Sequence, residues 1–223
     1  MVPLHSRIEA CRAIPLFRTL GERDLAAIAE LLIERRFPKG ATIFEEGVSG
    51  EYMYLIQEGQ VKVTKMSEDG RQKILEILSP GDFFGEMTLL DREPRSASIK
   101  TTHPCVLLAL SRQDFLRLLE RNLDIGMELL RVLSLRLREA DEQVRALLFE
   151  RVEARTRRVL LRLARESAPQ DPTRRITAPV THQELADMVG TSRETVTRVL
   201  KELREAGWLR KEGKRYVVPG EES

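Results

Sequence analysis

The sequence predicts an α+β fold in which a strand-rich N-terminal part precedes one long helix and a compact C-terminal helical motif. Short segments of alternating or β-branched residues, separated by Gly, Pro and Asp, occupy residues 36–110 and indicate an antiparallel sandwich or barrel. Apolar residues then recur in steps of three and four over residues 130–147, which is typical of a long helix. Residues 181–203 predict two short helices joined at a glycine. We therefore expect a β domain and a small helical domain, joined by the long helix.

The N-terminal part begins with a predicted helix and continues with six predicted strands. Leu25, Ile28, Leu31 and Leu32 recur at helical spacing, so residues 15–35 are expected to be helical. The strand segments read ATIFEEG, YMYLIQEG, QVKVTKM, RQKILEIL, SASIKT and CVLLALS. Seven glycines between residues 40 and 85 punctuate this region, as expected for the turns of an antiparallel sheet.

The long helix carries a heptad pattern that favours a parallel homodimer. The repeat consists of Leu130, Leu133, Leu137, Ala140, Val144 and Leu147. A second stripe of Leu129, Val132 and Leu148 is expected to pack on the strand domain. Arg136 and Asp141 occupy g and e positions, at the five-residue offset where opposite charges meet across such a dimer. The alternative is a single helix buried within one chain.

Residues 181–203 contain the local signals of two capped helices. Thr181 and Glu184 form a capping box at the start of the first helix, and Gly190 suits the turn that ends it. Ser192, or Thr191 with Glu194, can cap the second helix. Its predicted buried stripe comprises Val196, Val199, Leu200 and Leu203. The opposite face then presents Arg193, Glu194, Thr197, Arg198 and Lys201.

That outward face has the chemistry needed to read bases in a DNA major groove. The donors of Arg match O6 and N7 of guanine, and the carboxylate of Glu can accept from N4 of cytosine. After Gly207, the segment WLRKEGKRYVV predicts a β-hairpin wing whose basic residues could contact phosphates, with its turn at Glu212-Gly213. The alternative is a solvated charged face in which Glu194 and Arg198 form an i,i+4 ion pair.

The charge distribution fits a nucleic-acid-binding module attached to a different domain. Residues 151–223 hold 16 Lys and Arg against 11 Asp and Glu, a net charge of +5, whereas residues 1–150 carry a net charge of −3. No apolar run has the length of a membrane span and no signal-peptide core is visible, so we expect a cytoplasmic protein with no membrane partner. Cys11 and Cys105 have no ligand-like neighbours, and no metal cluster or activated nucleophile is visible. We therefore expect no metal, no cofactor, no catalytic residue and no enzyme activity.

Residues 81–97, GDFFGEMTLLDREPRSA, combine three features of an anion-binding segment. Gly85 permits close backbone approach, and the residues after it could form a helical turn whose amides face an anion. Arg95 can neutralise a phosphate through two hydrogen bonds, and Glu86 can accept from a sugar hydroxyl. A phosphate and a ribose therefore find partners within one segment. The alternative is a loop in which Glu86 and Arg95 pair with each other.

Two of these segments resemble motifs of the cyclic-AMP receptor protein (catabolite activator)/fumarate-nitrate regulator family of bacterial transcription factors. FGEMTLLDREPRSA resembles the family's cyclic-nucleotide cassette, and TSRETVTRVLKEL resembles its recognition helix. The resemblance implies ligand contacts from Gly85 and Glu86 to the ribose and from Arg95 and Ser96 to the cyclic phosphate, with Met87 beside them. It implies that Arg193, Glu194 and Arg198 read bases and that Thr181, Gln183, Ser192 and Thr195 contact DNA phosphates.

The resemblance covers nearly the whole chain and implies an architecture and a function. The implied domains are an N-terminal antiparallel β-roll of the cyclic-nucleotide-binding type with N-terminal helices (residues 1–121), a dimerisation helix and hinge (122–150), and a C-terminal winged helix-turn-helix domain (151–223). The implied protein is a homodimeric transcription regulator, an activator or a repressor, that is controlled by cyclic AMP and binds double-stranded DNA at a TGTGA-like palindrome. RNA polymerase is an expected further partner.

The long helix departs from the family pattern where the family recognises the effector base. The family has a Thr–Ser pair at the positions of Ala140 and Asp141. Asp141 can accept from N6 of adenine, which keeps it among the ligand-binding residues, or from N1 and N2 of guanine, or it can pair with Arg136 of a second copy. Cyclic GMP, or no effector, therefore stands as an alternative to cyclic AMP. A cyclic-nucleotide sensor that acts by protein contact is an alternative to DNA binding.

Overall fold

The computed structural model describes residues 4–67, 70, 72–167 and 176–219, which divide into two compact units. The first unit comprises residues 1–66 and 74–138, and the second comprises residues 67–73 and 139–223. Most of the proline-containing segment expected before the two-helix motif, residues 168–175, lies outside the described residues. Within the described ranges, no helix combines the length and the apolar character needed to cross a membrane.

The first unit is a β-roll flanked by helices, which confirms the predicted fold class. Its helices are α1 (Leu4–Ala13), α2 (Glu22–Leu31), α3 (Met87–Asp91) and α4 (Arg112–Arg121), with a 3-10 turn at Pro15–Phe17. Its strands are β1 (Ile33–Phe37), β2 (Thr42–Phe44), β3 (Tyr52–Glu58), β4 (Val61–Met66), β5 (Gln72–Leu78), β6 (Phe83–Phe84), β7 (Ser98–Thr101) and β8 (Cys105–Ser111). They form two four-stranded sheets, ordered β1-β8-β3-β6 and β2-β7-β4-β5.

Strands β3 and β8 are buried on both faces and organise the core of this unit. Because successive side chains of a strand point to opposite faces, Met53 and Leu55 of β3 join the core that includes helical residues such as Phe17 and Phe115. The neighbouring Ile56 joins a second core that includes Val61, Leu78 and Ile99. Burial on both faces explains why the sequence of β8, CVLLALS, is an uninterrupted apolar run.

The helix predicted over residues 15–35 is wrong in its bounds. Only residues 22–31 form α2, and Leu32 is already extended, with φ −77° and ψ 134°. The chain then enters β1, which pairs with β8 from Ile33↔Ala109 to Phe37↔Cys105. The ladder with β8 satisfies backbone groups after α2, so sheet pairing overrides the helical spacing of the side chains. Helix α4 and the two-residue strand β6 had no counterpart in the prediction, and α1 was implied only by the N-terminal helices of the family resemblance.

The long helix α5 (Leu123–Phe149) has one packed face and one exposed apolar stripe. Ile125 and Leu129 are buried in the core of the first unit, and Val132 and Leu133 pack against it. The exposed stripe consists of Leu123, Met127, Leu130, Leu137, Val144 and Leu148, whose exposed fractions range from 54% to 78%. These residues keep heptad spacing, as the sequence predicted for a helix that meets a second copy of itself.

Two residues of α5 lie on the opposite face from the one predicted. Leu133 was assigned to the dimer seam but packs against the core of its own unit, and Leu148 was assigned to the packed stripe but is 71% exposed. The helix has 3.6 residues per turn, so a seven-residue repeat drifts around its surface and two adjacent apolar stripes cannot be separated by spacing alone. Asp141 lies four residues after Leu137 and three before Val144, and is therefore on the exposed stripe itself.

The second unit contains the predicted two-helix motif and wing. After α5 come α6 (Val152–Ser167), α7 (His182–Val189), α8 (Arg193–Glu205) and the hairpin of β9 (Arg210–Glu212) and β10 (Arg215–Val217). Ile176 forms an isolated bridge to Val217, which brings a further extended segment onto the hairpin. Buried residues from all three short helices, including Leu160, Leu185 and Leu200, form the interior of this unit. The winged helix-turn-helix architecture is thereby confirmed.

The local signals that predicted α7 and α8 are present as expected. Thr181 and Glu184 form the capping box at the start of α7, and Gly190 ends this helix in the left-handed conformation, with φ 76°. Of the two predicted caps for α8, the structure uses Ser192, whose hydroxyl accepts from the Thr195 amide at 3.2 Å. An N-cap such as Ser192 contributes about 0.5–2 kcal/mol. Gly190 at the end of α7 and Ser192 at the start of α8 therefore stabilise the two ends of the turn between these helices.

Candidate effector cassette and nucleic-acid interface

The anion-binding segment folds as a sharp turn followed by one short helix. Strand β6 ends at Phe84, Gly85 adopts φ +84°, and α3 starts at Met87 directly after Glu86. The helix ends at Arg92 in the left-handed conformation, with φ 65°, and the chain then returns to Arg95 and Ser96. We call residues 85–96 the cassette.

Arg95 is the buried cation of the cassette. Its side chain is 5% exposed; Nη1 donates to the carbonyl of Gly85 at 2.7 Å and Nη2 to that of Tyr52 at 2.6 Å. Its Cζ lies 4.1 Å from the ring centroid of Phe44, a cation–π contact. Although burial lowers the pKa of Arg95, a guanidinium keeps its charge in proteins. Nε is buried without a hydrogen-bond partner, so the guanidinium retains donor capacity that the described residues do not use.

Two glycines make room for this guanidinium. A Cβ on Gly50 would lie 2.3 Å from Cζ and 2.2 Å from Nη2 of Arg95, and a Cβ on Gly85 would lie 2.6 Å from Nη1. All three distances are far below van der Waals contact, so any other residue would displace the arginine or strain the loop. Gly85 has the additional constraint of a positive φ. The sequence prediction included Gly85 and missed Gly50, since a glycine before a strand looks like an ordinary turn residue.

Glu86 is held by an arginine of the long helix. The carboxylate is 2% exposed and its Oε1 accepts from Nη1 of Arg136 at 2.8 Å. Nη2 of the same guanidinium donates to the carbonyl of Phe83 at 2.7 Å, and Cζ lies 5.0 Å from the Phe83 ring centroid. The alternative in which Glu86 pairs with Arg95 is therefore wrong. Arg136, which was expected to face Asp141 of a second copy, is engaged within its own chain.

The cassette brings five of the six predicted ligand residues together. Besides Gly85, Glu86 and Arg95, Ser96 is exposed, with its Oγ 3.7 Å from Sδ of Met87. Met87 itself is 46% exposed. A fixed cation, a carboxylate and a hydroxyl thus lie within one short segment. This set can bind a ligand that has both an anionic group and hydroxyl donors.

Asp141, the sixth predicted ligand residue, lies on α5 and outside the cassette. It lies on the part of α5 that belongs to the second unit, and its side chain is exposed. Its proposed contact with an effector base stays a prediction.

The predicted reading residues are exposed on α8. Arg193, Glu194 and Arg198 are accessible, while Val196, Val199, Leu200 and Leu203 are buried on the other side of the helix. In the part of the chain that the structure describes, no salt bridge joins Glu194 to Arg198; the ion pair on α8 joins Lys201 to Glu205 at 3.8 Å. The i,i+4 pair of the alternative interpretation is therefore absent, and these side chains are available to a partner.

Glu194 is kept as an acceptor by its surroundings. A hydrogen bond from its own backbone amide, and a second from the Ser192 hydroxyl, hold the pKa of its carboxyl below the usual value. Because a depressed pKa keeps the carboxylate ionised to lower pH, Glu194 remains an acceptor throughout the neutral and mildly acidic range.

The predicted phosphate-contacting residues surround the two helix starts. Thr181 and Ser192 are the N-cap residues of α7 and α8, and Thr195 Oγ1 lies 3.0 Å from Ser192 Oγ. Gln183 is exposed, with its Nε2 donating to Asp187 Oδ1 at 2.7 Å. Hydroxyl and amide groups at helix starts are typical donors to DNA phosphates.

Comparison with known proteins decides the family. A model of the cyclic nucleotide-binding domain matches residues 34–122, and a model of the Crp-like helix-turn-helix domain matches residues 154–222. The CRP-like cAMP-activated global transcriptional regulator of Mycobacterium tuberculosis is 34% identical over 208 residues, which are 93% of either chain. The cyclic AMP receptor protein of Thermus thermophilus is 39% identical over 196 residues, 88% of either chain. The chain belongs to the cyclic-AMP receptor protein/fumarate-nitrate regulator family.

Solved structures of the cyclic-AMP receptor protein family share this fold. The c-di-GMP responsive global regulator of Xanthomonas campestris is 31% identical, with a TM-score of 0.74, and the match covers 86% of this chain and 95% of that one. The catabolite activator protein of Thermus thermophilus is 37% identical, with a TM-score of 0.57 and coverage of 92% and 93%. The named relatives are transcription regulators, so this chain has the two domains of a cyclic-nucleotide-responsive, DNA-binding transcription regulator.

Within this family member, sequence reasoning missed the supporting residues of the cassette. Phe44 and Tyr52 hold Arg95 from strands β2 and β3, and Arg136 holds Glu86 from α5. All three come from segments remote in sequence from the cassette. No local pattern could have assigned them, except that a charged Arg136 amid the apolar repeats of α5 was a signal for a specific partner.

Proposed function

We propose that the chain is a homodimeric, sequence-specific transcription regulator that responds to cyclic AMP and binds a TGTGA-like palindrome. The observation that carries this proposal is the outward face of α8. Arg193, Glu194 and Arg198 are exposed and not paired with one another, on a helix that a Ser192 cap and four buried residues hold in place. Two guanidiniums and one carboxylate in this arrangement match the guanine and cytosine edges of such a half-site.

The DNA part of the proposal is tested by two substitutions on α8. Arg193→Ala removes a base-edge contact, so we expect a loss of about 1–3 kcal/mol on the matched half-site and a relaxed preference at one base pair. Ser192→Ala removes a phosphate contact and should weaken binding to matched and altered half-sites equally. Anisotropy titrations on both duplexes at fixed salt make the comparison. Equal losses on the two duplexes for Arg193→Ala would refute base reading.

The exposed stripe on α5 supports the homodimer. Six large apolar residues with heptad spacing leave an extended face of this helix uncovered in a single chain. A second copy of the same helix is the partner that such a repeat fits, and the two-fold axis would then pair the two α8 helices with the two half-sites of a palindrome. Asp141, on this stripe, would lie at the dimer seam, where we propose that it meets the effector base.

The cassette supports a cyclic nucleotide as the effector. Arg95 supplies a fixed positive charge with an unused donor for the cyclic phosphate, and Ser96 adds a hydroxyl. Glu86 supplies an acceptor for the ribose hydroxyl, with Gly85 at the same turn. The named relatives from Mycobacterium tuberculosis and Thermus thermophilus are described as responding to, or as receptors for, cyclic AMP, which favours this nucleotide.

One observation favours a second candidate, a family regulator that is active without an effector. Both charged residues of the cassette already have protein partners, since Arg95 donates to two carbonyls and Glu86 is bound by Arg136. Calorimetric titration with cyclic AMP, cyclic GMP and cyclic di-GMP separates the candidates. The last is included because the Xanthomonas relative is described as responsive to it. Heat with cyclic AMP alone supports the first candidate, and no heat with any nucleotide supports the second.

The remaining parts of the proposal follow from this function. We propose functional domains at residues 1–121, 122–150 and 151–223, a cytoplasmic location beside the DNA, and RNA polymerase as the partner through which transcription is regulated. Co-sedimentation of the DNA-bound protein with RNA polymerase tests the last point, and an unchanged sedimentation profile would contradict it.

A further inference from the structure

A groove lies between α8 and the wing, and its walls are strongly basic. It has a volume of about 660 Å³. Its cationic lining residues are Arg193, Arg198, Lys201, Arg204 and Lys211, and its carboxylate is Glu194. Leu200, Leu209 and Tyr216 form an apolar part of the lining. Because the same helix presents the reading residues, this inference rests on the proposed function, and the polyanion that fits the groove is the backbone of the bound DNA.

His182 also lines this groove, and its imidazole ring can be either neutral or protonated. It is the first residue of α7, is partly exposed, and its Nδ1 lies 2.8 Å from Oγ1 of Thr197 on α8. The hydroxyl of Thr197 donates to the carbonyl of Arg193 at 2.8 Å. A hydroxyl has one proton to donate, so Thr197 must accept from the histidine. The proton therefore resides on Nδ1, and in the neutral ring Nε2 carries a lone pair.

Burial and two neighbouring cations favour the neutral ring of His182 in the free protein. The charged groups that line the groove with it are Arg193, Glu194, Arg198, Lys201 and Arg204 on α8 and Lys211 on the wing. On α7 itself, the nearby Glu184 is engaged with Thr181 in the capping box. Desolvation, together with the charges of Lys211 and Arg193, lowers the pKa of His182 from its ordinary value of 6.5. Nε2 has no hydrogen-bond partner among the described residues and is free to take a proton.

A DNA phosphate in the groove reverses this electrostatic balance. Its negative charge offsets the cations that oppose protonation, and an imidazolium Nε2–H can donate a charge-assisted hydrogen bond to a phosphate oxygen. The neutral ring offers only a lone pair to that oxygen, which is a repulsive contact. Binding is therefore favoured by one additional proton on each histidine.

We propose that His182 is a proton-linked contact to the DNA backbone, neutral in the free protein and protonated on Nε2 by solvent when a phosphate enters the groove. The proton on Nδ1 stays in its hydrogen bond to Thr197 throughout. Since the complex binds more protons than the free protein, affinity falls as pH rises between the values at which the free and the DNA-bound histidine titrate. The effect is about tenfold per histidine for each pH unit that separates those values.

The test measures DNA affinity against pH with the full-length protein and saturating cyclic AMP. A fluorescein-labelled duplex with a TGTGA palindrome and a scrambled duplex are titrated from pH 6.0 to 8.5 at one ionic strength. The wild type should lose at least about fivefold in affinity across this range on both duplexes, because the contact is to phosphate.

His182→Arg should bind DNA tightly and His182→Gln should bind it weakly, and neither variant should lose affinity as the pH rises. His103→Gln, a histidine of the first unit, should retain the wild-type pH dependence. Calorimetry in buffers of different ionisation enthalpy should show proton uptake in the wild type and none in His182→Arg.

Three outcomes would overturn the inference. One is a wild-type affinity that does not change with pH, and another is an unchanged pH dependence in His182→Gln. The third is a pH dependence confined to the TGTGA duplex, which would assign Nε2 to a base edge. Failure of the proposed function gives a different result, since no variant would then show salt-dependent DNA binding at any pH. Thermal melting of each variant checks that the substitution at the partly exposed His182 leaves the fold intact.

Discussion

Substitution of Arg136 by Ala tests whether the long helix holds the cassette through Glu86. The change removes the 2.8 Å ion pair to a carboxylate that is only 2% exposed, the hydrogen bond to the Phe83 carbonyl and the contact with the Phe83 ring. Removing one partner of a buried pair costs about 3–5 kcal/mol. Because the Arg136 side chain keeps 26% of its surface exposed, water weakens the pair and the lower end applies, about 3 kcal/mol.

Hydrogen exchange followed by mass spectrometry measures this loss within one unit. A destabilisation of about 3 kcal/mol corresponds to a roughly 100-fold loss of protection for the most protected amides of β3 and β8. Amides of α8, in the second unit, serve as the internal reference. Arg131→Ala is the matched control on the same helix. Its i,i+3 pair with Glu128 joins side chains that are 47% and 25% exposed, against 26% and 2% for the Arg136–Glu86 pair, so the loss should stay below about 1 kcal/mol. Equal losses for the two variants would refute the reasoning. So would a double variant of Arg136→Ala and Glu86→Gln whose loss of stability equals the sum of the two single losses, because residues in contact are not additive.

Three further predictions follow from the cassette, the helix stripe and the core. Gly50→Ala places a Cβ 2.3 Å from Cζ of Arg95 and should weaken cyclic AMP binding by about tenfold or more, measured by calorimetry. In the control Gly21→Ala the added Cβ meets nothing within 4 Å, so the affinity should not change. Equal affinities of the two variants would contradict the close fit around the Arg95 guanidinium. Leu137→Glu puts a charge on the exposed stripe and should shift the protein towards monomers in sedimentation velocity, while an undiminished dimer would exclude this seam. Burial raises the pKa of Cys11 to about 12, so only about 0.1% of this thiol is ionised at pH 9. Maleimide should therefore react with Cys11 only after the protein unfolds. Rapid labelling of Cys11 in the native protein would show that this thiol is accessible.

The sequence was most informative where structure is determined by neighbouring residues. The capping box of Thr181 and Glu184, the left-handed Gly190 and the Ser192 cap depend on contacts within four residues, and all were predicted. The reading face of α8 followed from helical spacing alone. The turn at Gly85 and the short helix after it were also predictable, because glycine and the residue types around it restrict the local backbone.

The sequence was least informative where structure depends on pairing between distant segments. Residues 33–35 were included in the predicted helix, yet they form β1 because β8, more than 70 residues away in sequence, offers a hydrogen-bonded ladder. The partners of Glu86 and Arg95 come from β2, β3 and α5 for the same reason. Both apolar stripes of α5 were recognised, but Leu133 was assigned to the exposed stripe and Leu148 to the packed one, and the structure shows the reverse. Only the tertiary contacts decide which stripe is covered.

The position of Arg136 on α5 has a mechanical consequence. Helix α5 carries both the guanidinium that is bound to Glu86 and the exposed leucines that would pack against a second copy. Because the backbone hydrogen bonds of an α-helix join each turn to the next, a rotation of α5 that separates Arg136 from Glu86 would also reorient the neighbouring residues of the exposed stripe. A ligand group that competes with Arg136 for Glu86, such as the ribose hydroxyl of the proposed effector, would therefore change what holds α5 against the cassette. In the proposed dimer, the occupancy of the cassette and the packing of a second copy on the exposed stripe would therefore be coupled through the orientation of α5.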